Sequence, residues 1–182
     1  MEQSFAGQLL LAAPTLRDPN FARTVVLIGV HNDDGAMGVV LNRPAKLTVA
    51  EAVPQLEAFA GAHEPVYVGG PVARESVVLL AEFLEESEAG VLLLGRIGFP
   101  GADSDVEQLA QHTARGRVFA GYAGWSHQQL DAEVQSGDWI THPPLPEDLF
   151  SDAPEELWGA VLRRMGGSYA LIARMPLDPS VN

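Results

Sequence analysis

The stretch Arg23-Thr24-Val25-Val26-Leu27-Ile28-Gly29-Val30-His31-Asn32-Asp33-Asp34-Gly35-Ala36-Met37-Gly38-Val39-Val40-Leu41-Asn42 sets two β-branched apolar runs on either side of a polar turn. Asp34-Gly35 between such runs signals a hairpin, because glycine accepts the positive φ of a tight turn and Asn or Asp bonds locally. The spacing predicts antiparallel strands over Arg23–Val30 and Ala36–Asn42. Helices separate successive strands in a doubly wound α/β sheet, so an α+β fold is expected instead.

Working outward, Gln8–Ala13 reads as a preceding strand that ends at Pro14, and Arg43-Pro44 closes the hairpin's second strand. Thr48-Val49-Ala50-Glu51 has capping-box spacing and predicts a helix start, with Pro54 distorting the turn that follows. Strands are expected again at 66–68, 76–83 and 91–94, the first two separated by a sharp reversal at Gly69-Gly70-Pro71. Glu82, Glu85, Glu86 and Glu88 read as a solvated turn. Ser104-Asp105-Val106-Glu107 and Ser126-His127-Gln128-Gln129 predict two more capped helices, the second stopping at Gly137. Arg117–Gly124 and Trp139-Ile140 read as strands. Pro154 opens a last helix with Leu157, Trp158, Val161, Leu162 and Met165 on its buried stripe, interrupted by Gly166-Gly167. No repeat or flexible linker divides the chain, so one domain over 1–182 is expected.

Composition excludes more than it identifies. The 182 residues contain no cysteine, which removes disulfides, thiolate metal sites and thiol nucleophiles. The bases include a single lysine, Lys46, in a turn-like stretch, so neither a P-loop nor a kinase-type lysine site can be written. Acids outnumber bases 24 to 11, a net charge of −13 shared by both halves of the chain. An acidic surface repels a polyanion, which argues against nucleic acid as a partner. The longest apolar runs are strand-length and no export signal is read, so no membrane partner and a cytoplasmic location are expected.

The search for chemistry returns little. Gly166-Gly167-Ser168-Tyr169-Ala170 approaches a nucleophile elbow but ends in Ala and follows a helix. Ser126 beside His127 is accounted for as a helix cap. His31, His63, His112, His127 and His142 are never three or four apart; His31 with Asp33 or Asp34 could hold a cation, but those residues also build the hairpin turn. Asp103-Ser104-Asp105-Val106-Glu107 starts like a calcium loop yet has Gln108 where glycine is required. Gly95, Gly98 and Gly101 form no nucleotide cradle, and Tyr122, Trp125, Trp139 and Trp158 read as core aromatics. No cofactor, metal or catalytic residue is assigned.

Several turns do form a recognisable set. Leu10-Leu11-Ala12-Ala13-Pro14, Asp18-Pro19-Asn20-Phe21, His31-Asn32, Gly35-Ala36-Met37-Gly38, Leu41-Asn42-Arg43-Pro44, Gly69-Gly70-Pro71 and Gly121-Tyr122-Ala123-Gly124-Trp125 follow one another in order. With Gln129-Leu130, Glu133 and Trp139, they resemble the YqgE/AlgH family from near residue 8 to near residue 165. The resemblance implies an α+β domain whose largely antiparallel, strongly bent sheet forms a pseudo-barrel with helices packed outside. It implies no reaction; the family is bacterial and carries a transcriptional-regulator label. Arg43 stands where a lysine is also common.

The polar residues at strand ends, together with the matching turns, form the candidate surface for a ligand or partner: His31, Asn32, Asn42, Arg43, Gly69, Gly70, Tyr122 and Trp125. The hairpin would place His31 at one end and Asn42 with Arg43 at the other. Asn42 is expected to bond the amides of its own turn. Three functions follow in order. The first is a non-enzymatic protein binding a protein partner or small ligand, with a regulatory role. The second is an enzyme with His31 as base and Arg43 holding an anion. The third is a DNA-binding regulator, which has no basic recognition helix to support it.

Overall fold

A computed structural model describes residues 4–177. Its strands are β1 (Leu9–Ala12), β2 (Val25–Asn32), β3 (Gly35–Val40), β4 (Pro44–Thr48), β5 (Pro65–Val68), β6 (Val72–Phe83), β7 (Ala89–Leu94), β8 (Ile97–Pro100), β9 (Thr113–Ser126) and β10 (Trp139–His142). The α-helices are α1 (Val49–Ala52), α2 (Glu57–Ala60), α3 (Val106–Leu109), α4 (Gln129–Ser136), α5 (Pro146–Leu149), α6 (Leu157–Met165) and α7 (Gly167–Ile172).

The hairpin forms as its turn chemistry predicts: β2 and β3 pair antiparallel, with Val26 opposite Val40 and His31 opposite Ala36. Neighbours run in the order β10-β1-β2-β3-β9-β6-β8-β7, and β4 with β5 joins through β5 lying parallel to β9. Strand β9 is therefore the spine. Its first part pairs with β6, Val118 opposite Leu79, and with β5, Phe119 opposite Tyr67; its last residues pair with β3, Trp125 opposite Ala36. All ladders except β5–β9 are antiparallel.

The sheet curls far enough for strands distant in that order to touch. A Cβ added to Gly29 on β2 would lie 2.2 Å from Cε2 of Phe99 on β8, so the phenyl ring rests on bare backbone. This curl makes a half-barrel of the largely antiparallel, strongly bent sheet that the resemblance implies, with helices packed around it.

Strands β1 and β2 are apolar on both faces because both are covered. Leu9, Leu11, Val25 and Leu27 pack with Phe119 and with Leu157, Trp158, Val161 and Leu162 of α6. Leu10, Ala12, Val26 and Ile28 pack with Trp125, Trp139 and Leu130 of α4. A strand buried on both sides reads as an unbroken apolar run rather than an alternation. A third cluster gathers Val49, Leu56, Phe59, Phe83, Leu109 and Val118 beneath the short helices.

Local signals were met unevenly. Thr48 and Glu51 form the reciprocal capping box, and the helix stops at Val53 before a 3-10 turn over Pro54–Leu56, as Pro54 requires. Asp105, rather than Ser104, caps α3 by accepting from the Glu107 amide. Ser126 is a strand residue and not a helix cap: α4 starts at Gln129, whose Oε1 reaches back to the Ser126 amide, and Gln128 turns the chain with φ 58°. Gly137 ends α4 at φ 85°. Four elements lie where no regular structure was predicted: β4, β8, α5 and α7.

Candidate functional site

Asn42 and Arg43 bind the molecule's own backbone. Asn42 Oδ1 accepts from Val25 N at 2.9 Å and its Nδ2 donates to Arg23 O at 2.9 Å, so it bridges to the neighbouring strand instead of to its own turn. The Arg43 guanidinium donates to Asn20 O at 2.8 Å and Ala22 O at 3.1 Å. Burial pulls its pKa below the ordinary arginine value, while nearby Asp18 opposes the shift. These contacts fix the Asp18–Arg23 loop and leave Arg43 committed.

His31 sits at the other end of the hairpin. His31 lies six positions beyond Val25 along β2, roughly 20 Å at about 3.3 Å per residue. His31 and Arg43 therefore share no site. Nδ1 of His31 accepts from Phe5 N at 3.0 Å, Nε2 faces Asp131 Oδ2 at 3.2 Å, and the ring stacks on Phe5 at 5.3 Å. Held at both ring nitrogens, the imidazole is a structural link between the N-terminal segment and α4. Asn32 Oδ1 accepts from Asp34 N, the local turn bond its residue type favours. Among the described residues, no group of three or more His, Asp or Glu side chains is placed to hold a metal ion.

Gly69 and Gly70 are buried and present no surface to a partner. They let β5 cross β9 backbone to backbone: a Cβ on Gly70 would stand 2.1 Å from the Tyr122 carbonyl carbon, and one on Gly69 would stand 2.3 Å from Gly121 O. Gly69 also ties three strands together, accepting from Val40 N and donating to Ala120 O.

Tyr122 and Trp125 lead to the feature that sequence reasoning missed. They line a depression of about 680 Å³ with Val30, Met37, Val72 and Val78. Val30, Met37 and Val78 also line a second depression of about 440 Å³, whose far side is Val91, Phe99 and Val106. The two form one apolar groove crossing β2, β3, β9, β6, β8 and β7 where the sheet curls. Val30, Val72, Val77 and Val91 are 38–43% exposed there. Between Val72 and Val77 the β6 ladder shifts register, and Ala73 takes φ 46°. This bulge breaks the alternation that would have carried one valine inward.

The groove's aromatic wall is locked from behind. Glu133 Oε2 accepts from Trp125 Nε1 at 2.8 Å and from Trp139 Nε1 at 2.9 Å, and Oε1 accepts from Gln129 Nε2 at 2.9 Å. Trp125 and Trp139 meet edge to face with ring centres 6.0 Å apart. A separate polar feature, outside the groove, is Arg117. Its guanidinium lies over the Tyr67 ring at 4.5 Å, donates to Ser151 O at 2.6 Å and leaves Nη1 buried without a partner among the described residues. Burial lowers its pKa from the ordinary arginine value. No helix among the described residues is long and apolar enough to cross a membrane.

Comparison with known proteins places the chain. A UPF0301 protein of Mycobacteroides abscessus is 41% identical over 186 residues, covering 97% of this chain and 88% of that protein. A UPF0301 protein of Streptomyces coelicolor is 40% identical over 185 residues, covering 98% and 96%. The crystal structure of a Corynebacterium diphtheriae protein superposes with a TM-score of 0.85 at 28% identity, over 96% of this chain and 95% of that one. The solution structure of the AlgH protein from Pseudomonas aeruginosa gives a TM-score of 0.69 at 33% identity, over 97% and 98%. The AlgH-like family model matches residues 9–170, and the chain belongs to that family.

Proposed function

We propose that the protein is a non-enzymatic binding module and that the apolar groove is its binding surface. One observation carries this reading: Val30, Val72, Val77 and Val91, which come from the three strands β2, β6 and β7, are exposed along the two adjoining depressions. Scattered surface valines are ordinary, but a contiguous apolar patch on a water-soluble face marks an interaction site. Each of its two depressions, about 680 and 440 Å³, falls in the range of ligand clefts, about 300–1,000 Å³. The reading is further supported by the separation of His31 from Arg43, which leaves the base-and-anion arrangement of an enzyme unassembled.

The experiment is titration with Nile red, an uncharged dye that brightens and shifts to the blue in apolar surroundings. The natural protein should bind it, the Val30→Asp/Val77→Asp double variant should lose that signal, and Leu47→Asp, 57% exposed on β4, should retain it. Equal dye emission from all three proteins, with melting temperatures unchanged, would sink the reading.

A further inference from the structure

We propose that the occupant of the groove is a segment of a partner protein with an apolar centre and lysine or arginine on both flanks. The proposal rests on the groove being the binding surface and adds the partner's chemistry.

The argument is one of charge placed around an apolar floor. Among the described residues no lysine or arginine lines either depression, and the only charged lining residue is Asp34. Beside it, Asp33 stands exposed in the β2–β3 turn, at the end of the groove walled by Trp125. The second depression is lined by Ala102, Ser104 and Val106, and the neighbouring Asp103 and Asp105 are both exposed at its rim. Among the described residues none of these four carboxylates has a cationic side chain within salt-bridge distance. The neighbouring base, Arg74 in the β6 bulge, turns its guanidinium toward Asn20 Oδ1 at 3.5 Å. The groove is therefore apolar along its length and unneutralised at both mouths.

That pattern selects among occupants. A second copy of this chain, with a net charge of −13, would bring like charge to both acidic ends. Nucleic acid and anionic lipid would do the same. A neutral apolar molecule could fill the floor but leaves the two mouths unused. A chain segment whose apolar side chains enter the two depressions and whose cations reach Asp33 and Asp34 at one mouth, and Asp103 and Asp105 at the other, satisfies every part. Exposed ion pairs are individually weak and screened by salt, so they set partner choice and rate of encounter more than total affinity.

The test is fluorescence anisotropy with three labelled peptides that share one centre of Val, Leu and Phe and carry paired lysines, serines or glutamates at both ends. At low salt the lysine-flanked peptide should bind about tenfold more tightly than the serine-flanked one, a plausible sum for a few exposed pairs, and the glutamate-flanked one more weakly still. The preference should collapse in 1 M salt. It should also fall in the Asp33→Asn/Asp103→Asn variant, which changes no lining residue of either depression, spares the Asp105 cap and keeps Nile red binding intact. Equal affinity for the three peptides, or dye binding without peptide binding, overturns this proposal and leaves the groove as a site. Dye and peptides that both fail to bind, or a groove closed by dimerisation at rising concentration, overturn the two together.

Discussion

Replacing Glu133 by Ala removes one oxygen that two indoles share. Trp125 and Trp139 are 6% and 3% exposed, and their Nε1 groups lie 2.8 and 2.9 Å from Glu133 Oε2. A buried donor left without its acceptor costs about 1–3 kcal/mol, so two give roughly 2–6 kcal/mol. Glu133 itself is only half-buried and water can enter the space it leaves, which favours the lower half, about 3 kcal/mol. In a chain of this size that lowers the melting temperature by about 6–12 °C. Glu133→Gln keeps a carbonyl oxygen for both indoles and loses the charge assistance, so it should cost about 1 kcal/mol. Urea unfolding followed by tryptophan emission reads both variants. The decisive comparison repeats Glu133→Ala in a Trp125→Phe/Trp139→Phe background, where no indole donor is left to orphan and the cost should fall below about 1 kcal/mol. An undiminished cost in that background would refute the reasoning, because the loss would then belong to α4 and not to the indoles.

Three other outcomes are expected. Gly29→Ala drives a methyl group to 2.2 Å from the Phe99 ring and should destabilise by about 1–3 kcal/mol; adding Phe99→Leu should recover much of that, and no recovery would show that the two strands are not in contact. Arg117→Met removes a buried cation whose Nη1 has no partner, offset by loss of the Tyr67 contact and the Ser151 bond; chemical denaturation should place it within about 1 kcal/mol of the natural protein, and a loss above about 3 kcal/mol would mean the cation is better satisfied than its contacts indicate. The His142 imidazole has a pKa below 6.5, lowered by burial and by Arg164 and partly restored by Asp148. The unfolded chain then binds that proton more readily than the native one, so its share of stability is intact above about pH 6.5 and is lost as pH falls through that value. His142→Asn should flatten the decline in urea midpoint between pH 7.5 and 5.5, and an unchanged slope would remove His142 from the account.

What could be read from the residues was the part governed by short-range chemistry. Asp34-Gly35, the Thr48–Glu51 box and Gly137 each act within a few positions, and each did what its chemistry requires. Strands β4 and β8 were hidden by their own punctuation. Pro44 heads β4 on an open edge, a place where a strand tolerates proline, and Lys46 sits on the same edge. Gly98 was weighed only with Gly95 and Gly101 as a nucleotide cradle, yet β8 needs it because a Cβ there would lie 1.8 Å from Val91 O. Ser126 was misassigned because its bond to Gln129 is half of a capping box formed outside the helix. The groove was the least legible feature. Residues 30, 37, 72, 78, 91, 99 and 122 meet only through ladder register and the curl of the sheet, and the β6 bulge that exposes Val72 and Val77 breaks the period-two pattern a reader would use. Of the residues proposed for a surface, Tyr122 and Trp125 line the groove with Asn32 at its margin, while His31, Asn42, Arg43, Gly69 and Gly70 hold the frame.

Strand β9 also governs when the molecule can assemble. A growing chain that has not reached residue 113 can form the β2–β3 hairpin, the β4–β5 pair and the β6–β8–β7 meander, three pieces with no ladder between them. One strand, arriving late, must find its register against β3, β5 and β6 together, and β10 closes over β1 only afterwards. Such non-local closure makes folding slow and leaves the apolar edges of β3 and β6 open until synthesis is more than half complete. The chain's vulnerability to misassembly is thus concentrated in time, before Thr113–Ser126 emerges, more than in any region of the finished fold.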